Sequence, residues 1–592
     1  MRFDVLAQIK KDFSPGAMVW VIGRQEPYFL KRKIKAEEYY VISKTNLRVH
    51  AGAIVPVYPS TDGLSQKFFR EIAFRAICNY APLVSEVLPD SVLIKRALPS
   101  RAVAISNLHF PPDIKSLEIA RKRAAYEEFF LMLCAWGLKK SQTAARDKKR
   151  RYEIRKNLLT PFKNNLGFKL TNSQIKAINE IFKDMMSPSP MSRLLQGDVG
   201  CGKTAVALSA ALLAAENGFQ TAFMAPTEIL ARQHFETFSS LLKYLPVKVG
   251  LLTSSCTACE KKRIREEALR GELNILIGTH SLIEREISFS SLGLTIIDEQ
   301  HKFGVRQRAA LREKGQNADM LVMTATPIPR TLALSLYGDL DISCIDEMPP
   351  GRRPVKTWRT SEKEAFSRLK EEILKGGQGY VVYPVIDENE SDLKSLKKEF
   401  LKFTQTHPQI SSDLIYGTMK AAEKNEAMRK FLAGETKVLF ATQVIEVGID
   451  VKNASVMIVQ NAERFGLAAL HQLRGRIGRG LRQSHCFLVS EDASPQARER
   501  LNALCSTSSG FELSEKDAWL RGTGEVMGVR QHGDMELSIA DPYADRKLLS
   551  MAMEDRDELL SRDPQLHLSE HYALRKKILE LYGEKWKLID AG

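Results

Sequence analysis

The eight residues GDVGCGKT, Gly197 to Thr204, leave few folds open to the chain that contains them. They follow the apolar run RLLQ and precede the alanine-rich AVALSAALLAA, so a glycine turn joins a strand to the start of a helix. Gly197, Gly200 and Gly202 let backbone N–H groups close around phosphates at that helix N-terminus, where the helix dipole also favours an anion. Lys203 is then placed to reach the β- and γ-phosphates of a nucleotide, and Thr204 to hold Mg²⁺. Such a loop belongs at the C-terminal edge of a parallel sheet, so an α/β fold is expected.

The surrounding sequence has the required rhythm. From about residue 165 to the 490s, short β-rich runs alternate with helical stretches, the pattern of parallel βαβ units. RLLQGDVG, QTAFMAPT, LNILIGTH, GLTIIDEQ and MLVMTATP form one set; GYVVYPVI, KVLFATQVIEVGID, SVMIVQNA and SHCFLVS form another. The proline- and glycine-rich EMPPGRRPVKT at 347–357 separates them, which predicts two α/β lobes joined by a hinge. Within residues 1–60, MVWVIGR, YYVIS and AIVPVYP read as short strands with turns between them, as in a small β-barrel. Residues 64–157 read as helical and end in the basic run RDKKRRYEIRK, either a solvated helix face or an arm that tracks phosphates.

Two further clusters complete a phosphate-transfer chemistry. In LTIIDEQH a buried strand delivers Asp298 and Glu299 to its C-terminal end, where Asp298 can hold Mg²⁺ and Glu299 can orient the attacking water. In HQLRGRIGRG, Arg476 and Arg479 sit three apart and can point together across a cleft at a γ-phosphate. A carboxylate-binding arginine pair with a structural role is the alternative. These residues predict nucleoside triphosphate hydrolysis coupled to closure of the lobes.

Composition narrows the partner. Among 592 residues the formal net charge is +16, which suits a polyanion, because Lys and Arg displace the counterions around phosphates. No apolar N-terminal segment and no run of eighteen apolar residues is present, so a cytoplasmic protein without a membrane partner is expected. Of the eight cysteines only Cys256 and Cys259 are closely spaced, and one CxxC supplies half of a zinc site.

In this order the motifs resemble a superfamily 2 helicase motor. FKLTNSQ resembles an adenine-reading motif, which implies a base contact from Gln174 and stacking from Phe168. APTEILARQH at 225–234 is similar to the segment that touches the tracked strand, TAT at 324–326 to the motif linking hydrolysis to movement, and ATQVIEVGID at 441–450 to motif V, with Gln443 in place of the commoner threonine. LLQGDVGCGKT, DEQHKFGVRQR, MTATPIPRTLALSLYGDLDISCIDEMPPGR and NAERFGLAALHQLRGRIGRG narrow the resemblance to the RecG branch-migration helicases, from about residue 55 to the 540s. LRGTGEVMGVRQHG, 520–533, resembles the translocation motif of that family and of the transcription-repair coupling factor, in which a helical hairpin and loop connect lobe motion to a grip on duplex DNA. Its glycines permit backbone conformations and close approaches that a side chain would block. Arg521 and Gln531 are its candidate polar groups, Arg521 to hold the hairpin or reach phosphate and Gln531 to fix the loop.

The resemblance implies two tandem RecA-like parallel-sheet lobes, preceded by an OB-type β-barrel wedge and a helical linker and followed by a helical-hairpin C-terminal region. The corresponding boundaries are 1–60 for a partial wedge, 61–164 for the linker, 165–350 and 351–500 for the lobes, and 501–592 for the translocation region. In the family the wedge splits strands at a branch point. Tyr28 and Phe29, with Lys31, Arg32 and Lys33 in EPYFLKRKIK, could stack on unpaired bases and meet phosphates. The opening strands of that barrel are expected to be absent here, which would leave a shortened N-terminus. Cys201 is expected to turn its side chain away from the phosphates. The implied activity is an ATP- and Mg²⁺-dependent translocase on double-stranded DNA that regresses forks and migrates Holliday junctions. It would work as a monomer, with single-strand-binding protein as a candidate partner. A protein-displacing motor like the coupling factor, a junction-binding scaffold with a vestigial ATPase, and an RNA helicase are the alternatives.

Overall fold

The computed structural model describes residues 13–590 apart from 14, 29–30, 43–46, 51, 60–63, 145–147, 149, 285, 300–313, 315–317, 326–339, 351–352, 385–389, 443–450, 452, 481, 491–493, 522–536 and 543. The chain divides into two compact units. One combines Met1–Ala135 with Glu536–Tyr582; the other combines Trp136–Met535 with Gly583–Gly592.

The larger unit contains two parallel sheets. The first has seven strands: β3 (Ser192–Gly197), β4 (Gln220–Met224), β5 (Val249–Leu252), β6 (Ile275–Gly278), β7 (Leu292–Ile297), β8 (Asp319–Thr324) and β9 (Asp341–Ile345), in the spatial order β5-β6-β4-β7-β8-β3-β9. Every pairing is parallel. Strands β3, β4, β7 and β8 are almost wholly buried, as expected where helices cover both faces of a sheet. The helix Lys203–Glu216 is buried from Ala205 to Leu213 and Ala214, with no polar face. Its small alanines let it lie in the interior, between the sheet and the helix Asn172–Met186. The second sheet has six strands, β10 (Lys356–Thr360), β11 (Gln378–Val382), β12 (Ser412–Ile415), β13 (Val438–Ala441), β14 (Ala454–Val459) and β15 (His485–Val489), in the order β10-β15-β14-β11-β13-β12, again all parallel. These are the two RecA-like lobes expected from the alternation of strands and helices.

The basic run after the first helical region is not a helix where it is described, and although Arg151, Arg155 and Lys156 are exposed, Lys148 and Tyr152 are buried. Residues 150–156 form neither helix nor strand, and Lys148 is fully buried: its ammonium donates to Asp319 Oδ1 at 2.8 Å and to the Met185 carbonyl at 2.7 Å. Arg150 donates to the Leu292 carbonyl at 2.9 Å and the Tyr152 hydroxyl to the Gly293 carbonyl at 3.1 Å. The segment thus straps the N-terminal ends of β7 and β8. Charge density in sequence does not reveal this, because a lysine is buried only where a carboxylate and carbonyls meet it.

In the smaller unit β1 (Val19–Tyr28) and β2 (Lys31–Val41) form an antiparallel pair, with a register shift between Ile22 and Gly23. They are longer than the runs MVWVIGR and YYVIS suggest. The third expected strand does not form: residues 54–59 belong to no helix or strand and pair in no sheet. Pro56 and Pro59 lack the N–H a ladder needs, and the local hydrogen bonds go elsewhere, from Arg70 to the Pro56 carbonyl at 2.9 Å and between Tyr58 and Gln66. This small sheet is consistent with part of a wedge domain.

The helices of this unit come from both ends of the chain. Asp555, on the helix Arg546–Arg562, is buried and accepts from Arg96 Nε at 2.7 Å, Lys95 Nζ at 2.8 Å and the Tyr126 hydroxyl. Glu128, on the long helix Ile114–Ala144, accepts the backbone N–H groups of Ser538, Ile539 and Ala540, the last at 2.8 Å. Burial alone would push the Asp555 carboxyl up, but its three donors outweigh that and hold it below the usual range. A depressed carboxyl contributes stability that is fully present above its unfolded pKa, about 4, and is lost as pH falls through the lower folded value. Asp555→Ala should therefore destabilise this unit by about 3 kcal/mol at neutral pH, since it removes the one buried acceptor shared by Arg96, Lys95 and the Tyr126 hydroxyl. Urea unfolding followed at neutral pH and below about pH 4 should show the difference from the unsubstituted chain shrinking as the medium is acidified.

Candidate nucleotide site

The C-terminal ends of β3, β7 and β8 lie together in the sheet order β7-β8-β3, which brings three motifs to one edge. At the end of β3 the chain turns through Gly200 and Gly202, both in the left-handed region at φ 80° and 88°. A methyl on Gly202 would lie 2.3 Å from Gln174 Nε2, and one on Gly197 would lie 2.6 Å from Cys201 Sγ and 2.9 Å from the Ile345 carbonyl oxygen. Both glycines are therefore required by close packing as well as by phosphate chemistry. The Lys203 ammonium donates to the carbonyls of Gly197 at 2.7 Å and Asp198 at 2.9 Å, folded back on its own loop. Thr204 is half-buried in the first turn of the helix, and Cys201 is buried.

Gln174 is buried beneath this loop. It is the third residue of a capping box, accepting from Thr171 N–H at 2.8 Å, and its Nε2 donates to the Cys201 carbonyl at 2.7 Å. Its amide thus serves the loop backbone, while Phe168 is 46% exposed ahead of the helix and presents an open ring.

At the end of β7, Asp298 is buried and accepts from His234 Nε2 at 2.9 Å and from the Glu299 N–H at 3.0 Å. Burial would raise its carboxyl, but the His234 hydrogen bond and the nearby Lys203 ammonium prevail and hold it below the ordinary value. Glu299 takes a left-handed backbone, φ 52°, uncommon for a residue with a side chain. Its Oε2 accepts the Ala325 N–H at 3.3 Å, which ties it to the TAT segment at the end of β8. His234 closes the helix-borne segment APTEILARQH, and sequence reasoning gave it no role at this carboxylate.

The second lobe reaches the same edge through the helix Leu467–Arg474 and the turn after it. His471 Nε2 donates to Asp198 Oδ1, and a methyl on Gly475 would lie 2.7 Å from the Val199 side chain. Arg476 is buried and Arg479 half-buried, its Nε donating to the Gly475 carbonyl at 3.3 Å. Contact with the loop is thus made by His471 and Gly475, neighbours in the motif of the expected arginines. Beside it opens a cleft of about 240 Å³, lined in part by Asp198, Cys201, Glu347 and Arg353.

Among the described residues no three His, Cys, Asp or Glu converge as a metal cage. One hydroxyl, Thr204, and one carboxylate, Asp298, fit the chemistry of Mg²⁺, which takes few protein ligands when nucleotide phosphates supply the rest. The remaining expected residues give less. Arg521 ends the helix Gly510–Arg521, Tyr28 ends β1, and Lys31, Arg32 and Lys33 open β2, but their side chains lie outside the described part of the chain. Phe29, Gln531, Thr326, Gln443 and most of motif V lie outside the described residues altogether.

Comparison with known proteins matches the same segments. Residues 171–334 match the DEAD/DEAH box helicase family, 364–480 the helicase conserved C-terminal domain, and 507–589 the C-terminal part of domain 3 of the ATP-dependent DNA helicase RecG. The chain is 39% identical to the ATP-dependent DNA helicase RecG of Synechocystis sp. over 97% of its own length and 70% of that protein. It is 38% identical to RecG of Bacillus subtilis over 98% of its length and 85% of that protein. Among solved structures, RecG bound to a three-way DNA junction aligns with a TM-score of 0.70 and 40% identity, covering 92% of this chain and 72% of the other. Two parallel-sheet lobes with a P-loop, an acidic strand end and this degree of identity place the chain in the RecG family of ATP-dependent DNA helicases.

Proposed function

We propose that this chain uses ATP hydrolysis to travel along double-stranded DNA and so remodels branched DNA, regressing forks and migrating Holliday junctions. The observation that carries the reading is its likeness, at 40% identity and over 92% of the chain, to a RecG structure bound to a three-way DNA junction. The phosphate-transfer residues that such a motor needs are all present.

In this reading ATP draws the Lys203 ammonium off the Gly197 and Asp198 carbonyls and onto the β- and γ-phosphates. Thr204 and Asp298 would hold Mg²⁺, which when bound supplies positive charge against the phosphate oxygens. Glu299, fixed by its backbone and by Ala325, orients the water whose oxygen bonds to the γ-phosphorus as the bond to the bridging oxygen breaks. Arg476 and Arg479 neutralise charge on the γ-phosphate from the second lobe. Phe168 stacks on adenine, and Gln174 couples the base side of the site to the loop through the Cys201 carbonyl. Arg521 and Gln531 serve the translocation motif, and Tyr28 and Phe29 the wedge. Both lobes that enclose ATP belong to one polypeptide, so the single chain is the working unit.

Incubating the purified chain with a labelled three-way or Holliday junction should give ATP-dependent conversion to forked products. Absence of conversion alongside brisk DNA-stimulated hydrolysis would reject the remodelling activity and leave the motor. Lys203→Ala should reduce hydrolysis by about 100-fold or more, because it removes the cation that neutralises charge on the transferring phosphate. His234→Ala should weaken activity and shift the Mg²⁺ titration of hydrolysis upward by about tenfold, as loss of an outer hydrogen bond to a metal-holding carboxylate does. An unchanged Mg²⁺ titration would remove Asp298 from that role.

A further inference from the structure

Asp198 is held at both ends. Its carbonyl accepts from Lys203, while its buried carboxylate belongs to a network that leaves the phosphate loop altogether. Oδ1 accepts from His471 Nε2, and Oδ2 accepts the backbone N–H of Gly510 at 2.9 Å. Arg474 Nη2 donates to His471 Nδ1 at 2.9 Å. A guanidinium has donors only, so Nδ1 is the acceptor and the ring proton on Nε2 faces Asp198. Arg474, itself buried, also donates to the carbonyls of Leu504 at 3.0 Å, Thr507 at 2.7 Å and Ser508 at 3.0 Å. Those carbonyls belong to the last turn of the helix Pro495–Ser506 and to the residues that link it to the helix Gly510–Arg521.

The fit at Gly510 is an independent sign of how tight the junction is. A methyl there would lie 2.6 Å from His471 Nε2 and 2.8 Å and 2.9 Å from the two Asp198 oxygens. Burial would push the Asp198 carboxyl up, yet the donors from His471, Gly510 and Val199 keep it below its ordinary value, so it remains a charged acceptor. Charge-assisted hydrogen bonds of this kind are the strong ones in a protein interior.

We propose that Asp198, His471, Arg474 and Gly510 form a latch through which the phosphate loop controls the root of the helix Gly510–Arg521, and that they are positioning residues for translocation. The helix so gripped runs directly into residues 520–533, the segment identified with the translocation motif. The inference rests on the reading of the chain as a DNA translocase. When phosphates draw Lys203 away, the Asp198 peptide loses one restraint, while its carboxylate still grips Gly510. Any shift of the loop is then delivered to the first residue of that helix over a single hydrogen bond.

Gly510→Ala tests the latch by shape alone, because alanine favours a helix and alters no charge. His471→Ala tests it by removing the bridge, and His471→Gln can restore both a donor toward Asp198 and an acceptor toward Arg474. The measurement is ATP consumed per three-way junction converted by the full chain, with thermal unfolding followed for each variant so that loss of fold is recognised. We expect Gly510→Ala to keep DNA-stimulated hydrolysis within about threefold while ATP consumed per junction rises about tenfold, the scale of a lost charge-assisted hydrogen bond, and His471→Ala to raise the same ratio whatever it does to hydrolysis, with His471→Gln close to the unsubstituted chain. Parallel loss of hydrolysis and conversion in folded variants, or no change in the ratio, would overturn the proposal. Failure of the unsubstituted chain to convert the junction would instead reject the translocase reading beneath it.

Discussion

A strand end, a glycine turn and a helix N-terminus that meet at one point give a phosphate chain several backbone N–H groups at once. The larger unit is arranged around one such meeting point. Gly202 can take its left-handed backbone and still sit against Gln174 because it has no side chain. The helix that follows can point its N-terminus at the loop because ten of its residues are small or apolar enough to be buried without polar cost. The parallel sheet then does the rest: with every strand running one way, the ends of β3, β7 and β8 carry Lys203, Asp298, Glu299 and Ala325 to a common edge. The Lys148 strap secures the opposite ends of β7 and β8.

The two buried aspartates at this edge obey the same logic. Asp298 meets His234 and Asp198 meets His471; Asp298 also accepts the Glu299 N–H and Asp198 those of Val199 and Gly510, and each is held in its charged form against the cost of burial. An imidazole suits this work because it donates from one nitrogen while the other remains available to a second partner. At His471 that second partner is Arg474, and through it the contact extends into the turn beyond the second lobe. At His234 the ring packs against Phe223 and Phe238, so there the contact ends in the core of the first lobe.

Much of this was legible in the sequence, for identifiable reasons. The P-loop, the acidic strand end and the alternation of strands and helices are local patterns, and the parallel sheets follow from them. The pairs that organise the site are not local. His234 and Asp298 are separated by 64 residues, Asp198 and His471 by 273, and Asp198 and Gly510 by 312. Nothing in the neighbourhood of a histidine announces a carboxylate at that distance. The third run near the N-terminus has strand-like composition, but two prolines deny it a ladder, and the basic run after residue 145 looks solvated until Asp319 is found beneath Lys148.

The smaller unit has a consequence in the order of synthesis. Its N-terminal helices set Arg96 and Tyr126 against the buried Asp555, and Glu128 of the same unit receives the N–H groups of Ser538 to Ala540. A chain emerging from the ribosome completes both parallel-sheet lobes before either set of C-terminal partners exists. Domains form as units during synthesis, so the lobes can close while the early helices still lack the carboxylate their cations require. The smaller unit is therefore finished last, after both parallel-sheet lobes, and its early helices lack those partners for the several hundred residues in between.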